Sequence, residues 1–173
     1  MPSADANPYV SAMQEMTASH ALTLWRMLTE AGVHVWIDGG WGVDALLRRQ
    51  TRVHGDLDLG VARPDLELVV ELLGGAGFAV TDRRYEQVTV QLAAADGSRV
   101  DLHPSTPLDG GGTEQLDFEG NWYFIGPAVG GEIAGEAVRC IPVQAQLRAH
   151  SGYELRPKDL DDLALLRELD RQH

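Results

Sequence analysis

Apolar positions recur along this chain in two periods, and the switches between them mark out helices and strands. From about Ala12 to Glu30 the spacing of Leu24, Met27 and Leu28, continued by Ala31, is helical, and Gly32 supplies a stop. Val33 to Ile37 is a short apolar run of strand type. It ends at Asp38-Gly39-Gly40, and a second helix is expected from Trp41 to Arg49. Asp56 to Val61 alternates acid and apolar side chains, which is strand period. Pro64 opens a helix whose apolar face is Leu66, Val69, Val70 and Leu73, and Gly74, Gly75 and Gly77 close it.

Further strands are expected at Phe78–Thr81, Val88–Leu92, Arg99–His103, Trp122–Ile125 and Val138–Ile141, with Asp96-Gly97 as a hairpin turn. The stretch from Thr106 to Gly120 is rich in glycine and acids and reads as a loop. The tail is helical, from Val143 to His150 and again from Pro157 onward, where Leu160, Leu163, Leu166 and Leu169 form a stripe. Mixed strands and helices with a hairpin give an α+β fold: one mixed sheet, helices packed on it, and a short helical end over about 142–173. A single domain over 1–173 accounts for the length, with about 1–10 a polar lead-in expected to be disordered.

Composition narrows the function. A formal charge of −12 argues against binding DNA or RNA, which needs basic surface to displace counterions. The same charge suits a cationic ligand, although acidic surfaces also serve solubility alone. One cysteine, Cys140, excludes an intramolecular disulfide and a cysteine-rich zinc site. No apolar stretch is long enough to span a membrane, and Met1 to Asn7 lacks the pattern of a secretory leader, so the cytoplasm is expected.

The chemistry sits in three places. Asp56 and Asp58 lie two residues apart on a strand, so both carboxylates face one side while Leu57 and Leu59 face the other. Two adjacent carboxylates repel unless a cation neutralises them, and Mg2+ is the natural one: hard, oxygen-loving and commonly shared with substrate phosphates. Asp101, on the strand returning from the hairpin, can complete the metal site or take a proton from an attacking hydroxyl. Gly39 and Gly40, at a strand-to-helix turn, offer backbone N–H groups to an anion such as a triphosphate. The turn fits neither the P-loop nor the dinucleotide fingerprint.

WIDGGWGVDALLRRQTRVHGDLDL (36–59) resembles the signature of the small antibiotic nucleotidyltransferases, which include lincosamide nucleotidyltransferases and aminoglycoside 2''-type adenylyltransferases. VDLHP (100–104) is similar to the strand carrying their third acid, and HSGYELRPKDLDDLALL (150–166) to the ending of the small lincosamide enzymes. The likeness runs over roughly residues 20–170 with matching order. It implies the DNA polymerase β-like nucleotidyltransferase fold, a magnesium-bound nucleoside triphosphate donor, usually ATP, and a small-molecule antibiotic as acceptor. It puts Asp56 and Asp58 on the metal pair, Asp101 on the third acid, and Gly39 and Gly40 on the phosphate turn.

The superfamily usually has serine after the glycine, whereas here Gly40 precedes Trp41. Thr51, Arg52 and His54 are the candidates to replace that serine at the phosphates. Lys158, the only lysine, can reach the triphosphate from the tail or pair with a neighbouring acid. His103 shares the strand face of Asp101 and can tune it or act as the base; Glu86 is a rival base or a solvated carboxylate. Trp122 and Tyr123 are candidates for the acceptor pocket. Trp36 and Trp41 are expected in the core, Asp44 in a structural bond, His150 at a helix end, and Asp161 and Asp162 on the surface.

A lincosamide acceptor is first choice, an aminoglycoside second and another small hydroxylated compound third. A catalytically silent nucleotide-binding protein of the same fold is the reading of another class. A homodimer completing the acceptor pocket is a further expectation, since one small lobe leaves that pocket partly built.

Overall fold

The computed structural model describes residues 14–151 and 153–173. Helix α1 covers Ala18–Glu30, with the Thr17 hydroxyl accepting the His20 N–H as its N-cap. The expected start at Ala12 lies outside the described residues, as does the polar lead-in; Gln14 to Thr17 are not helical. Strand β1 (Val35–Asp38) runs directly into helix α2 (Gly39–Leu47), whose first turn already includes both glycines. Strand β2 (Leu57–Ala62) is followed by a short 3-10 turn around Pro64 and helix α3 (Leu66–Gly75).

Strands β3 (Phe78–Asp82), β4 (Val90–Ala94) and β5 (Arg99–Pro107) form a meander. The stretch expected as a loop from Thr106 to Gly120 holds the end of β5 and strand β6 (Thr113–Leu116), which pairs with both β5 and β7 (Trp122–Phe124). Strand β8 (Val129–Ile133) is invisible to periodicity because its VGGEI carries two glycines and only two apolar side chains. It pairs with β9 (Glu136–Cys140). Helices α4 (Val143–Ala149) and α5 (Pro157–Arg171) end the chain.

The strands make one mixed sheet in the order β3-β4-β5-β2-β1-β9-β8, extended by β6 and β7 beyond β5. Both β2·β5 and β1·β9 are parallel, while β1·β2 is antiparallel. Strand alternation sorts the two faces. Ile37 pairs with Leu59 and Val35 with Val61, and these join Leu57, Val100 and Leu102 in the main core with α1 and α3. The intervening residues Trp36, Asp38, Asp58 and Asp101 face the other side. There a smaller cluster of Trp36, Ile125, Ile141 and Ala145 ties α4 to the sheet. Trp36 and Trp41 are buried as expected.

Gly60 is the tightest point of that second face. It lies opposite Trp36 in the register, and a Cβ there would overlap the indole nitrogen. Only glycine lets the ring lie flat across β2. We expect Gly60→Ala to displace Trp36 and to lower unfolding free energy by about 1–3 kcal/mol. Chemical denaturation followed by tryptophan fluorescence checks this, and an unchanged midpoint would show that the ring relocates freely.

Candidate active site

Three aspartates stand side by side across three neighbouring strands. Asp38 closes β1, Asp58 is the second residue of β2, and Asp101 the third of β5; the register pairs Asp38 with Asp58 and Asp58 with Asp101. Side chains paired in this way stand about 5 Å apart at Cβ. Asp56, just before β2, adds a fourth carboxylate on the same side. His103, two residues beyond Asp101, places Nε2 2.8 Å from Asp58 Oδ1.

The crowding shows in the acid–base balance. Burial, then the charges of Asp58 and Asp56, push the Asp101 carboxyl up to about 6. Asp56 is raised by burial and by Asp58, with Arg99 and Lys158 pulling the other way. Asp38 is raised chiefly by burial. Burial alone would lower His103, but its hydrogen bond to Asp58 and the surrounding carboxylates win and raise it to about 9. The acid row is short of positive charge beside it. Its donors are hard carboxylate oxygens, the set a divalent cation of the magnesium type prefers. Among the described residues no three His, Cys, Asp or Glu side chains close around one point unaided, so water and phosphate oxygens would have to complete a shell.

The glycine turn adjoins the acids. The Asp38 carboxylate accepts the Gly39 N–H at 2.7 Å and caps α2. Gly39 has φ +56°, and a Cβ on it would overlap the Asp58 carboxylate. The N–H groups of Gly40 and Trp41, in the first turn of α2, have no carbonyl four residues back within the helix and are directed to its N-terminal end.

These groups line a cleft of about 850 Å³ between the sheet and the C-terminal helices. Arg52, Arg148, Arg156 and Lys158 add cations to it, and Phe118, Tyr123 and Tyr153 add aromatic surface. Of the residues singled out from sequence, the cleft brings together Gly39, Gly40, Arg52, Asp56, Asp58, Asp101, His103, Tyr123 and Lys158. Lys158 forms no ion pair among the described residues.

Three candidates are corrected, Thr51, His54 and Trp122, while Glu86 is exposed and fits its alternative as a solvated carboxylate. Thr51 and His54 do not line the cleft, because both are bonded to Asp44: Thr51 through its N–H and hydroxyl (3.1 and 2.6 Å), His54 through Nε2 at 2.5 Å. His54 is buried against Trp41. Asp44 thus has the structural bond expected of it. Trp122 and Glu86 lie in a separate shallow pocket, where Arg63 stacks 5.5 Å from the Trp122 ring centre. Alternation along β7 turns Tyr123 inward and leaves Trp122 exposed.

Asp162, expected on the surface, is buried and bonds Arg52 at 3.0 Å, with His150 at 3.7 Å. Sequence reasoning passes over Asp38 as a functional group, although an acid ending an otherwise apolar strand beside two glycines is a usable signal. Gln146, Arg148 and Arg156 carry none, because only the packing of α4 and α5 brings them to the cleft.

The model of the aminoglycoside-2''-adenylyltransferase family matches residues 21–166. A lincosamide resistance protein of Staphylococcus haemolyticus is 30% identical over 139 residues, 79% of this chain and 86% of that protein. A 2''-aminoglycoside nucleotidyltransferase of Escherichia coli is 36% identical over 115 residues, and the match spans 64% of this chain and 59% of that relative's length. The crystal structure of the lincosamide antibiotic adenylyltransferase LnuA with lincomycin bound has a TM-score of 0.78 at 26% identity, covering 90% of this chain and 99% of that one. No helix among the described residues is long and apolar enough to cross a membrane.

Two polar contacts behind the site make testable demands. Asp44→Ala strips buried His54 and the Thr51 N–H of their partner, and we expect a loss of about 3 kcal/mol in chemical denaturation. His150 is raised above its ordinary 6.5 chiefly by the Asp162 carboxylate 3.7 Å from its Nε2, so its contribution is complete below that value and fades as pH rises through the folded value. The stability gap between the native chain and His150→Gln should therefore be widest in acid and narrow in alkali; a gap independent of pH would remove the charge from the explanation.

Proposed function

The chain belongs to the aminoglycoside-2''-adenylyltransferase family and is an antibiotic nucleotidyltransferase, and on that premise we propose that it transfers AMP from ATP, with magnesium, to a hydroxyl of a lincosamide. The observation that carries the reading is the row Asp38–Asp58–Asp101, with Asp56 beside it, facing a cleft that also holds the glycine turn.

Magnesium would be held by Asp56 and Asp58, with Asp101 as a third ligand or as the base. When bound it supplies positive charge to the triphosphate and to departing pyrophosphate. The chain's own groups do the rest. The α2 N-terminus, with Gly39 and Gly40, takes the distal phosphates. Arg52, held by Asp162 beside Gly40, and Lys158 at the start of α5 add positive charge. Asp101 accepts the proton of the acceptor hydroxyl as it attacks the α-phosphorus in line. His103 holds Asp58 in place by its hydrogen bond. Phe118, Tyr123 and Tyr153 offer the acceptor an aromatic wall. Because the reaction consumes ATP, the cytoplasm is the compartment we assign.

Two observations favour a lincosamide. The lincosamide relative is matched over most of its length, and the lincomycin-bound LnuA structure over nearly all of its chain. The cleft also carries aromatic rings away from the acid row, and two of its other carboxylates, Asp159 and Asp162, are already bonded to Arg156 and Arg52. An aminoglycoside is the second reading, supported by the family match, the −12 charge, and Asp117 and Glu119 at the rim.

The deciding experiment offers Mg-ATP with a panel of lincosamides and aminoglycosides, follows pyrophosphate release, and weighs the products by mass spectrometry. A metal-dependent AMP adduct on lincosamides is expected. It should be abolished in the Asp56→Asn, Asp58→Asn double variant and reduced about 10²–10⁴-fold in kcat by Asp101→Asn, with each variant's melting temperature showing that it folds. An adduct confined to aminoglycosides would transfer the chain to the second reading, and none with any nucleotide would point to a silent nucleotide binder.

A further inference from the structure

Gln146 is fully buried on α4, more than a hundred positions from the glycine turn, yet its Nε2 donates to the Gly39 carbonyl at 3.2 Å. It packs so closely on α2 that a Cβ at Gly42 would overlap the amide nitrogen. Its Oε1 is buried with no partner among the described residues. An unsatisfied buried carbonyl lowers stability, so packing alone is better served by an apolar side chain of the same size. The amide has to be explained by what its donor does, and that donor holds one atom, the carbonyl of Gly39.

That atom belongs to a sensitive residue. Gly39 has φ +56°, its N–H is held by Asp38, and it lies directly against the Asp58 carboxylate. Gly40 is tied to the same end of the molecule. Arg52, where a Gly40 Cβ would come within 2.6 Å, is held by Asp162 on α5, and His150 at the end of α4 approaches that same carboxylate. Each glycine of the turn is therefore backed by the C-terminal helical pair, Gly39 directly and Gly40 through Arg52.

We propose that Gln146 is a positioning residue for the nucleotide: by pinning the Gly39 carbonyl it sets the direction of the first-turn N–H groups of α2, and so couples the α4–α5 pair to triphosphate binding. Among the described residues its side chain hydrogen-bonds neither the acids nor the aromatic wall, only the Gly39 carbonyl, so its effect falls on the nucleotide. This inference rests on the nucleotide site proposed above.

The test compares the native chain with Gln146→Leu, which keeps the volume and removes the amide. Calorimetry measures binding of Mg-ATP, kinetics gives KM for ATP and for the acceptor, and amide NMR follows Gly39 and Gly40. Expected are an unchanged or slightly higher melting temperature, a Kd and KM for ATP raised about tenfold, an unchanged acceptor KM, and shifted glycine signals. Unchanged ATP binding would overturn the inference while leaving the nucleotide site intact. So would parallel losses in ATP affinity, acceptor KM and melting temperature, which mark a residue needed only for the fold. Should Gln146→Leu not fold, Gln146→Met, unbranched and more adaptable, takes its place; failure of both to fold assigns Gln146 to the core and overturns the proposal. If the native chain itself binds no Mg-ATP, the parent reading falls first.

Discussion

Carboxylates held side by side on a sheet repel one another, and the rest of this structure is arranged around that repulsion. Asp38, Asp58 and Asp101 share one row because three neighbouring strands carry them in register, and Asp56 stands just before the same row. The sheet can hold them there because its other face is buried with apolar side chains from the same strands, locked by α1 and α3. A slip of one residue in β2 would exchange Asp58 for Leu59 on the cleft side. The packing energy of the core therefore holds the acids together against their own field.

The surroundings relieve that field only in part. His103 is raised to about 9 beside Asp58, Arg99 stands 3.7 Å from Asp56, and Lys158 on α5 also acts on Asp56. Asp101 remains raised to about 6 even so. A site left short of positive charge is suited to a ligand that brings it, such as a metal-bound triphosphate. Arg52 beside Gly40 and Lys158 on α5 line the same cleft and add cations to it.

The C-terminal helices do more than close the cleft. Asp162 is buried among Arg52 and His150, and burial that would raise its carboxyl is outweighed by those two partners, which hold it low. Gln146 reaches the turn from α4. The glycine turn is thereby backed by α4 and α5, while the aromatic wall comes from the β6–β7 hairpin and from Tyr153.

Much of this is legible in the chain itself. Alternation in DLDLGV puts Asp56 and Asp58 on one face and the leucines in the core, and the ordered series of strand, glycines, helix, paired acids, hairpin and third acid identifies the family. Such features are local or depend on a period of two, and a period survives whatever the chain packs against. The departures share the opposite cause. Strand β8 lacks apolar alternation and exists because β9 pairs with it; β6 lies hidden in a Gly-rich stretch for the same reason. Thr51 and His54 stand beside the acids in sequence, but Asp44 has taken their polar atoms, and Asp162 has the pattern of a surface charge although α5 turns it toward Arg52. By itself the sequence determined the chemistry, its strand faces and the family. Only the tertiary structure decided which polar side chains remain available to a ligand, because each hydrogen-bonding group is claimed by whichever partner the packing brings within reach.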